Sequence, residues 1–173
     1  DRDLSHNEAY IKSNEIIRDS IDELKSICFN IMPKTLSQFG LEAAINELIQ
    51  QNSLKGLVEF NIDFKGNFPK QDGNFELAVF RIVQEFIVNS VKHGKAKQID
   101  LEFSCEKDRL EIKLKDNGKG FDDTKTVLNS GMGLKNIKSR VQSYHGKINI
   151  LAREGSGVKF VIQMPYLNFF GLY

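Results

Sequence analysis

Three groups of residues have the types and spacing to do chemistry, and they follow one another in a fixed order. The first is Glu85, Asn89, Lys92 and His93, which fall at i, i+4, i+7 and i+8 of an expected helix and so share one face. A face combining a carboxylate, an amide and cations can hold a magnesium–phosphate group, because hard cations take oxygen ligands and keep several waters. The second is Asp116-Asn117-Gly118-Lys119-Gly120, directly after an expected strand. A carboxylate at a strand end can accept a hydrogen bond from an adenine amino group, and the glycines let backbone approach the base closely. The third is Gly131-Met132-Gly133-Leu134, opening a helix whose free N-terminal amides would suit phosphate.

Taken singly, each group has a plainer reading. The helix face could simply be solvated, Asn117-Gly118 could be a hairpin turn, and the third group could be a flexible loop before a helix. No strand follows Gly118 closely enough to pair back at once, which weakens the hairpin. The third group is not the dinucleotide fingerprint, since no strand leads straight into it and a third glycine is missing. No GxxxxGK[ST] occurs in the chain, which removes the common P-loop route to ATP.

The elements that must position these residues can be read from periodicity. A long helix is expected from about Asn74, a good N-cap type, to about His93, with Gly94 as its stop. Its Val79, Val83, Phe86, Ile87 and Ser90 would pack on a sheet. Strict alternation at Val58, Phe60, Ile62 and Phe64 predicts a strand, and further strands are expected near 98–104, 109–115, 147–153 and 158–164. Leu134 to His145 reads as a helix closed by Gly146, and Leu41, Ala44, Ile45, Leu48 and Ile49 mark a shorter one. Upstream, Tyr10, Asn14, Ile17, Ile21, Leu24, Cys28 and Ile31 advance by alternating fours and threes, a seam of coiled-coil or bundle type that Pro33 ends. The order of elements predicts a layered α+β sandwich with a mixed sheet rather than a doubly wound parallel one.

The chain has 173 residues, enough for one compact domain with an appendage. A formal net charge of +1 offers no electrostatic case for nucleic acid or an anionic membrane surface. No apolar run reaches the roughly 20 residues of a spanning helix. Cys28 and Cys105 lack CxxC spacing and the three histidines lack metal-ligand spacing, so reduced thiols and no zinc site are expected.

Taken together, ExxxNxxKH, DxGxG and GxGL resemble the N, G1 and G2 boxes of the GHKL ATPases, a superfamily that includes gyrase, a heat-shock chaperone, histidine kinases and a mismatch-repair protein. The resemblance implies the Bergerat fold, a mostly antiparallel mixed sheet covered by helices on one face. It also implies ATP held between the long helix and a lid from about Phe121 to Gly131. Carried over, Asn89 ligates magnesium, Asp116 binds the adenine amino group, and Gly118 and Gly120 shape the base pocket. Gly131, Gly133 and Leu134 form the phosphate end, Lys92 and His93 sit near the phosphates, and Glu85 helps activate the attacking group.

Pro33-Lys34-Thr35-Leu36 followed by Gly40-Leu41-Glu42-Ala43-Ala44 is similar to the junction of one histidine kinase subfamily, usually paired with helix-turn-helix response regulators. This implies that residues 1–32 are the second helix of a dimerisation and phosphotransfer region, and 33–173 the catalytic domain. The expected partners are a response regulator and a second copy of the full-length protein, with no nucleic acid and no membrane contact by this chain. The implied location is cytoplasmic, with anchoring of the parent in the inner membrane left open. Two departures stand out. None of His6, His93 and His145 is followed by an acidic residue, so the phosphoacceptor is expected outside this chain. Val158 occupies a position where relatives often carry a threonine supporting the adenine-binding aspartate, which implies weakened binding. The rival readings are an anti-sigma serine kinase of the same fold and a nucleotide-binding interaction module without kinase activity.

Overall fold

A computed structural model of the chain describes residues 12, 13, 16, 17, 32–53, 56, 58–66, 68, 71–106, 108–121 and 132–165. Asp1–Pro33 and Lys34–Tyr173 form separate compact units. Of the seam residues only Ile17 is among those described, and it is helical. Cys28, His6 and the tail after Pro165 also lie outside the described residues.

The second unit opens with helix α1, Lys34–Ser53, which starts directly after Pro33. Gly40, at φ 81° and ψ −174°, breaks it into a single turn and the expected amphipathic helix; only glycine takes that conformation without strain. Leu36, Leu41, Ala44, Ile45 and Leu48 are its buried residues. Strand β1, Glu59–Lys65, leads to helix α2, Gly73–Val88, which continues as a π-helical turn over Asn89–His93. Strands β2, Gln98–Glu106, and β3, Arg109–Asp116, follow, then helix α3, Met132–Ser143, and strands β4, Lys147–Ala152, and β5, Val158–Pro165.

The five strands form one sheet in the order β1-β2-β3-β5-β4. Only β1 and β2 run parallel, because α2 crosses between them; the other pairs are antiparallel. Alternation puts Ile99, Leu101 and Phe103 of β2, Leu110, Ile112 and Leu114 of β3, and Phe160, Ile162 and Met164 of β5 into the core. Val79, Val83, Phe86 and Ile87 of α2 and Ile137 and Val141 of α3 are buried with them. The alternate residues, such as Lys113, Lys115, Lys159 and Gln163, lie on the other face. The helices therefore cover one face of a mixed, mostly antiparallel sheet, as expected.

Several boundaries differ from the sequence reading for local physical reasons. Asp72 rather than Asn74 caps α2, its carboxylate accepting from the Asn74 amide at 3.1 Å. The helix does not run as α to His93, because Gly94 N–H bonds the Asn89 carbonyl at 2.9 Å, an i→i−5 closure. Gly94 itself has φ −74°, and Lys95 takes the left-handed conformation at φ 55°. Gly94 is needed for space, since a Cβ there would lie 2.8 Å from the Ser90 carbonyl oxygen. At the end of α3, likewise, His145 is left-handed at φ 54°, while a Cβ on Gly146 would meet the Val141 and Gln163 carbonyls at 2.9 Å. α3 begins at Met132, two residues before the expected start.

Candidate functional site

The three groups meet at one end of the sheet, where β3 finishes and β2 and β5 begin. Ile99 pairs with Asp116 and Lys115 with Lys159, so the C-terminus of β3 sits between those two strand starts. The loop after Asp116 does not turn the chain back, because the other neighbour of β3 is β5, which is reached only after α3. Asn117 instead anchors the loop. Its side-chain oxygen accepts from the Lys97 and Gln98 amides at 2.8 and 2.9 Å, and its own N–H bonds the Gln98 carbonyl. Lys119 N–H then reaches the Gly94 carbonyl at 2.9 Å, and the Lys119 carbonyl accepts from Gly155 at 2.7 Å.

Glycine is sterically required where these backbones cross. A Cβ on Gly118 would lie 2.6 Å from the Gly94 carbonyl oxygen, and one on Gly120, which has φ 60°, would lie 2.1 Å from that of Arg153. The result is a cleft of about 620 Å³ between α2, the Gly118–Phe121 loop and the start of α3, within the range of small-molecule sites. Glu85, Asn89, Lys92, His93, Asp116, Gly120, Gly133 and Leu134 all line it. Gly118 lies behind Asp116, and Gly131 and most of the expected lid are outside the described residues.

At the deep end, Asp116 is only 3 % exposed and is bonded at both oxygens. Oδ1 accepts from Gly118 N–H at 2.7 Å and Oδ2 from the Ser90 hydroxyl at 2.8 Å. Phe86 and Phe160, with ring centroids 5.0 Å apart, supply an apolar wall, and Phe121 and Val158 add to it. A buried carboxylate beside apolar surface fits a flat base with an amino group to donate. At the other end the Asn89 side-chain nitrogen donates to Glu85 Oε1 at 3.4 Å. That pair lies against α3, since a Cβ on Gly133 would sit 2.3 Å from Glu85 Oε1 and 3.0 Å from Asn89 Nδ2. Lys92, His93, Lys95 and Lys119 are exposed along the rim, a basic border suited to polyphosphate. Arg140 of α3 belongs to the same end: burial lowers its pKa, and the nearby Glu85 carboxylate opposes that shift.

The donor set fits a magnesium ion that is itself held mostly by phosphate. With its nitrogen turned to Glu85, the Asn89 amide oxygen is the atom left to meet a hard cation. Among the described residues no group of three or more His, Cys, Asp or Glu could hold a metal ion, so a cation here would need phosphate oxygens and water in its shell.

Sequence reasoning did not assign Ser90, Lys95, Lys119 or Arg140 to the site. Ser90 was grouped with the apolar face that packs on the sheet, and it is indeed buried, but its hydroxyl serves the cleft. Arg140 stands seven residues after Gly133, which on α3 is the same face; that spacing was the available signal. Lys95 had none, because its side chain is aimed by a left-handed turn that composition does not announce.

Comparisons with known proteins agree with this geometry. The family described as histidine kinase-, DNA gyrase B-, and HSP90-like ATPase matches residues 74–168. The chain is similar to sensor histidine kinase ComP of Bacillus subtilis (strain 168), 32 % identical over 157 residues, 89 % of this chain and 20 % of ComP. It is 28 % identical over 153 residues to the signal transduction histidine-protein kinase/phosphatase DegS of Brevibacillus brevis, 87 % of this chain and 39 % of DegS. It therefore spans well under half the length of either curated relative. The blue-light activated histidine kinase of Erythrobacter litoralis EL346 superposes with a TM-score of 0.63 at 18 % identity, covering 76 % of this chain and 43 % of that one, a likeness of fold. With the Asp116 pocket, the Asn89 face and the glycine-opened α3 gathered in one cleft, the chain belongs to the histidine kinase-, DNA gyrase B- and HSP90-like ATPases, as an ATP-binding catalytic domain of the sensor histidine kinase kind.

Proposed function

We propose that this chain binds magnesium-ATP in the cleft and presents its γ-phosphoryl to a histidine outside the chain, from which it passes to an aspartate on a response regulator. One observation carries this reading. A buried, doubly bonded carboxylate shares one cleft with the glycine-bearing start of α3 and a rim of Lys92, His93, Lys95 and Lys119, as an adenine base and a triphosphate require. Asp116 accepts from the adenine amino group, and Phe86, Phe160 and Val158 contact the base. Lys92, His93, Lys95 and the first turn of α3 face the phosphates.

Asn89 and the phosphate oxygens would hold magnesium, which supplies charge neutralisation. Transfer breaks the bond between the γ-phosphorus and the β–γ bridging oxygen, forms a phosphorus–nitrogen bond to the imidazole and releases ADP. Glu85, in the same cleft, is the group available to take the imidazole proton. Positioning and charge compensation account for most of the work asked of the protein. On this reading residues 1–32 belong to a dimerisation region and 33–173 to the catalytic domain. The parent acts as a homodimer, and the site works in the cytoplasm; no helix among the described residues is long and apolar enough to cross a membrane.

The test is transfer of label from γ-labelled ATP to a separately supplied helical segment of the parent bearing the acceptor histidine. Acid-labile, base-stable label that disappears with Asp116→Asn is expected. Nucleotide binding without any transfer would favour an interaction module instead.

A further inference from the structure

Ser90 does more at this site than fill space. It sits in the π-helical turn, is 3 % exposed and donates its hydroxyl proton to Asp116 Oδ2 at 2.8 Å. Its backbone is also fixed, since its carbonyl accepts from the Ala96 amide at 3.0 Å. Among the described residues lining the cleft it carries the only side-chain hydroxyl, and Val158, on the β5 wall, has none. The Asp116 carboxylate is thus clamped from two directions, by Gly118 N–H at Oδ1 and by Ser90 at Oδ2.

Both bonds point into the carboxylate, so both oxygens are committed as acceptors in a fixed plane. The base edge that meets such a group must bring a donor. At the 6-position a 6-amino purine does so, whereas a 6-oxo purine places its oxygen against the carboxylate, two acceptors face to face, and carries its nearest donor at N1 instead. Without the serine hydroxyl, only Gly118 would hold the carboxylate, which could then turn about its Cβ–Cγ bond. We propose that Ser90 is a positioning residue that sets the base selectivity of this site, acting through Asp116 to favour 6-amino over 6-oxo purine nucleotides. The proposal rests on reading the cleft as the ATP site.

The experiment titrates the 173-residue chain and its Ser90→Ala, Ser90→Cys and Ser90→Thr variants with magnesium-ATP and magnesium-ITP, which differ at the 6-position edge. The parent should prefer ATP. Ser90→Ala should weaken ATP about tenfold, the size expected for one hydrogen bond to a charged group, and leave ITP nearly unchanged, so the preference narrows. Ser90→Cys, close in shape with a weak donor, should behave the same way and covers the case in which Ser90→Ala fails to fold. Ser90→Thr, which keeps the hydroxyl, should restore the parent's preference. A parent-like ratio in Ser90→Ala and Ser90→Cys would overturn the proposal, as would equal weakening of both nucleotides or no restoration by threonine. A parent chain that binds neither nucleotide would overturn the ATP-site reading itself, an outcome distinct from all of these.

Discussion

Gly157→Ala and Gly133→Ala add the same methyl group, one beside Asp116 and the other beside the Glu85–Asn89 pair, and the structure separates their consequences. Gly157 has φ 76°, and a Cβ there would lie 2.0 Å from the Asp116 carbonyl oxygen and 3.0 Å from its Oδ1. The left-handed conformation costs an L-residue about 1–2 kcal/mol. Relieving an overlap with backbone means displacing the end of β3, an overpacking cost of about 1–3 kcal/mol. The sum, about 2–5 kcal/mol, should lower the thermal midpoint on the order of 10 °C. Gly133 is the second residue of α3, and the nearest atoms its Cβ would meet are side-chain ends, Glu85 Oε1 at 2.3 Å and Asn89 Nδ2 at 3.0 Å. Alanine exceeds glycine by about 1 kcal/mol in a helix interior and by less in the first turn, so Gly133→Ala should melt close to the parent temperature. Glu85 and Asn89 must nonetheless swing aside, and magnesium-ATP affinity should fall several-fold. Melting curves by circular dichroism and calorimetric titration read both effects. A Gly133→Ala chain that melted as low as Gly157→Ala, or that bound magnesium-ATP like the parent, would refute the reasoning.

Other expectations follow from the same contacts. Asp116→Asn should weaken ATP binding about a hundredfold, since the base loses a charged acceptor worth up to ~3 kcal/mol; calorimetry with magnesium-ATP checks this. Asn89→Ala should remove the strengthening of nucleotide binding by magnesium, and an undiminished magnesium response would count against its role. On the sheet's outer face, hydrogen bonds from Asn61 and Gln98 hold Asp100 below the usual carboxylate range, and Lys113 and Gln163 do the same for Glu111. Depressed carboxylate pKa values stabilise the fold above the unfolded value of about 4 and lose that contribution as pH falls through the folded value. Denaturation midpoints should therefore drop from pH 5 toward pH 2, and Asp100→Asn and Glu111→Gln should each reduce the stability lost over that range by under about 1 kcal/mol, as exposed pairs do.

How much of this was legible beforehand depended on whether the signal was periodic. The alternation at Phe60, Ile62 and Phe64 and the apolar stripe of α2 marked their elements because burial on one face imposes those periods. The site was legible through glycines and polar residues at fixed offsets, so Glu85, Asn89, Asp116 and Gly133 could be named together. What stayed hidden was set by tertiary contact. The π-helical turn at Asn89–His93 exists where Gly94 and Ser90 are pinned to the neighbouring loops, through Lys119 N–H and Ala96 N–H, and helix propensity is blind to an i→i−5 closure. Gly94 and Gly146 were legible as helix stops, but it is Lys95 and His145 that take the left-handed conformation, while the glycines make room for crossing backbone. Val158 puts no hydroxyl on β5, and the bond to Asp116 comes instead from the π-helical turn through Ser90.

The most direct test of the central claim is calorimetric titration of the chain with a non-hydrolysable ATP analogue, with and without magnesium. Saturable binding to one site, strengthened by magnesium, is the predicted result. No heat of binding at millimolar nucleotide, in a chain whose melting curve shows it folded, would contradict the account.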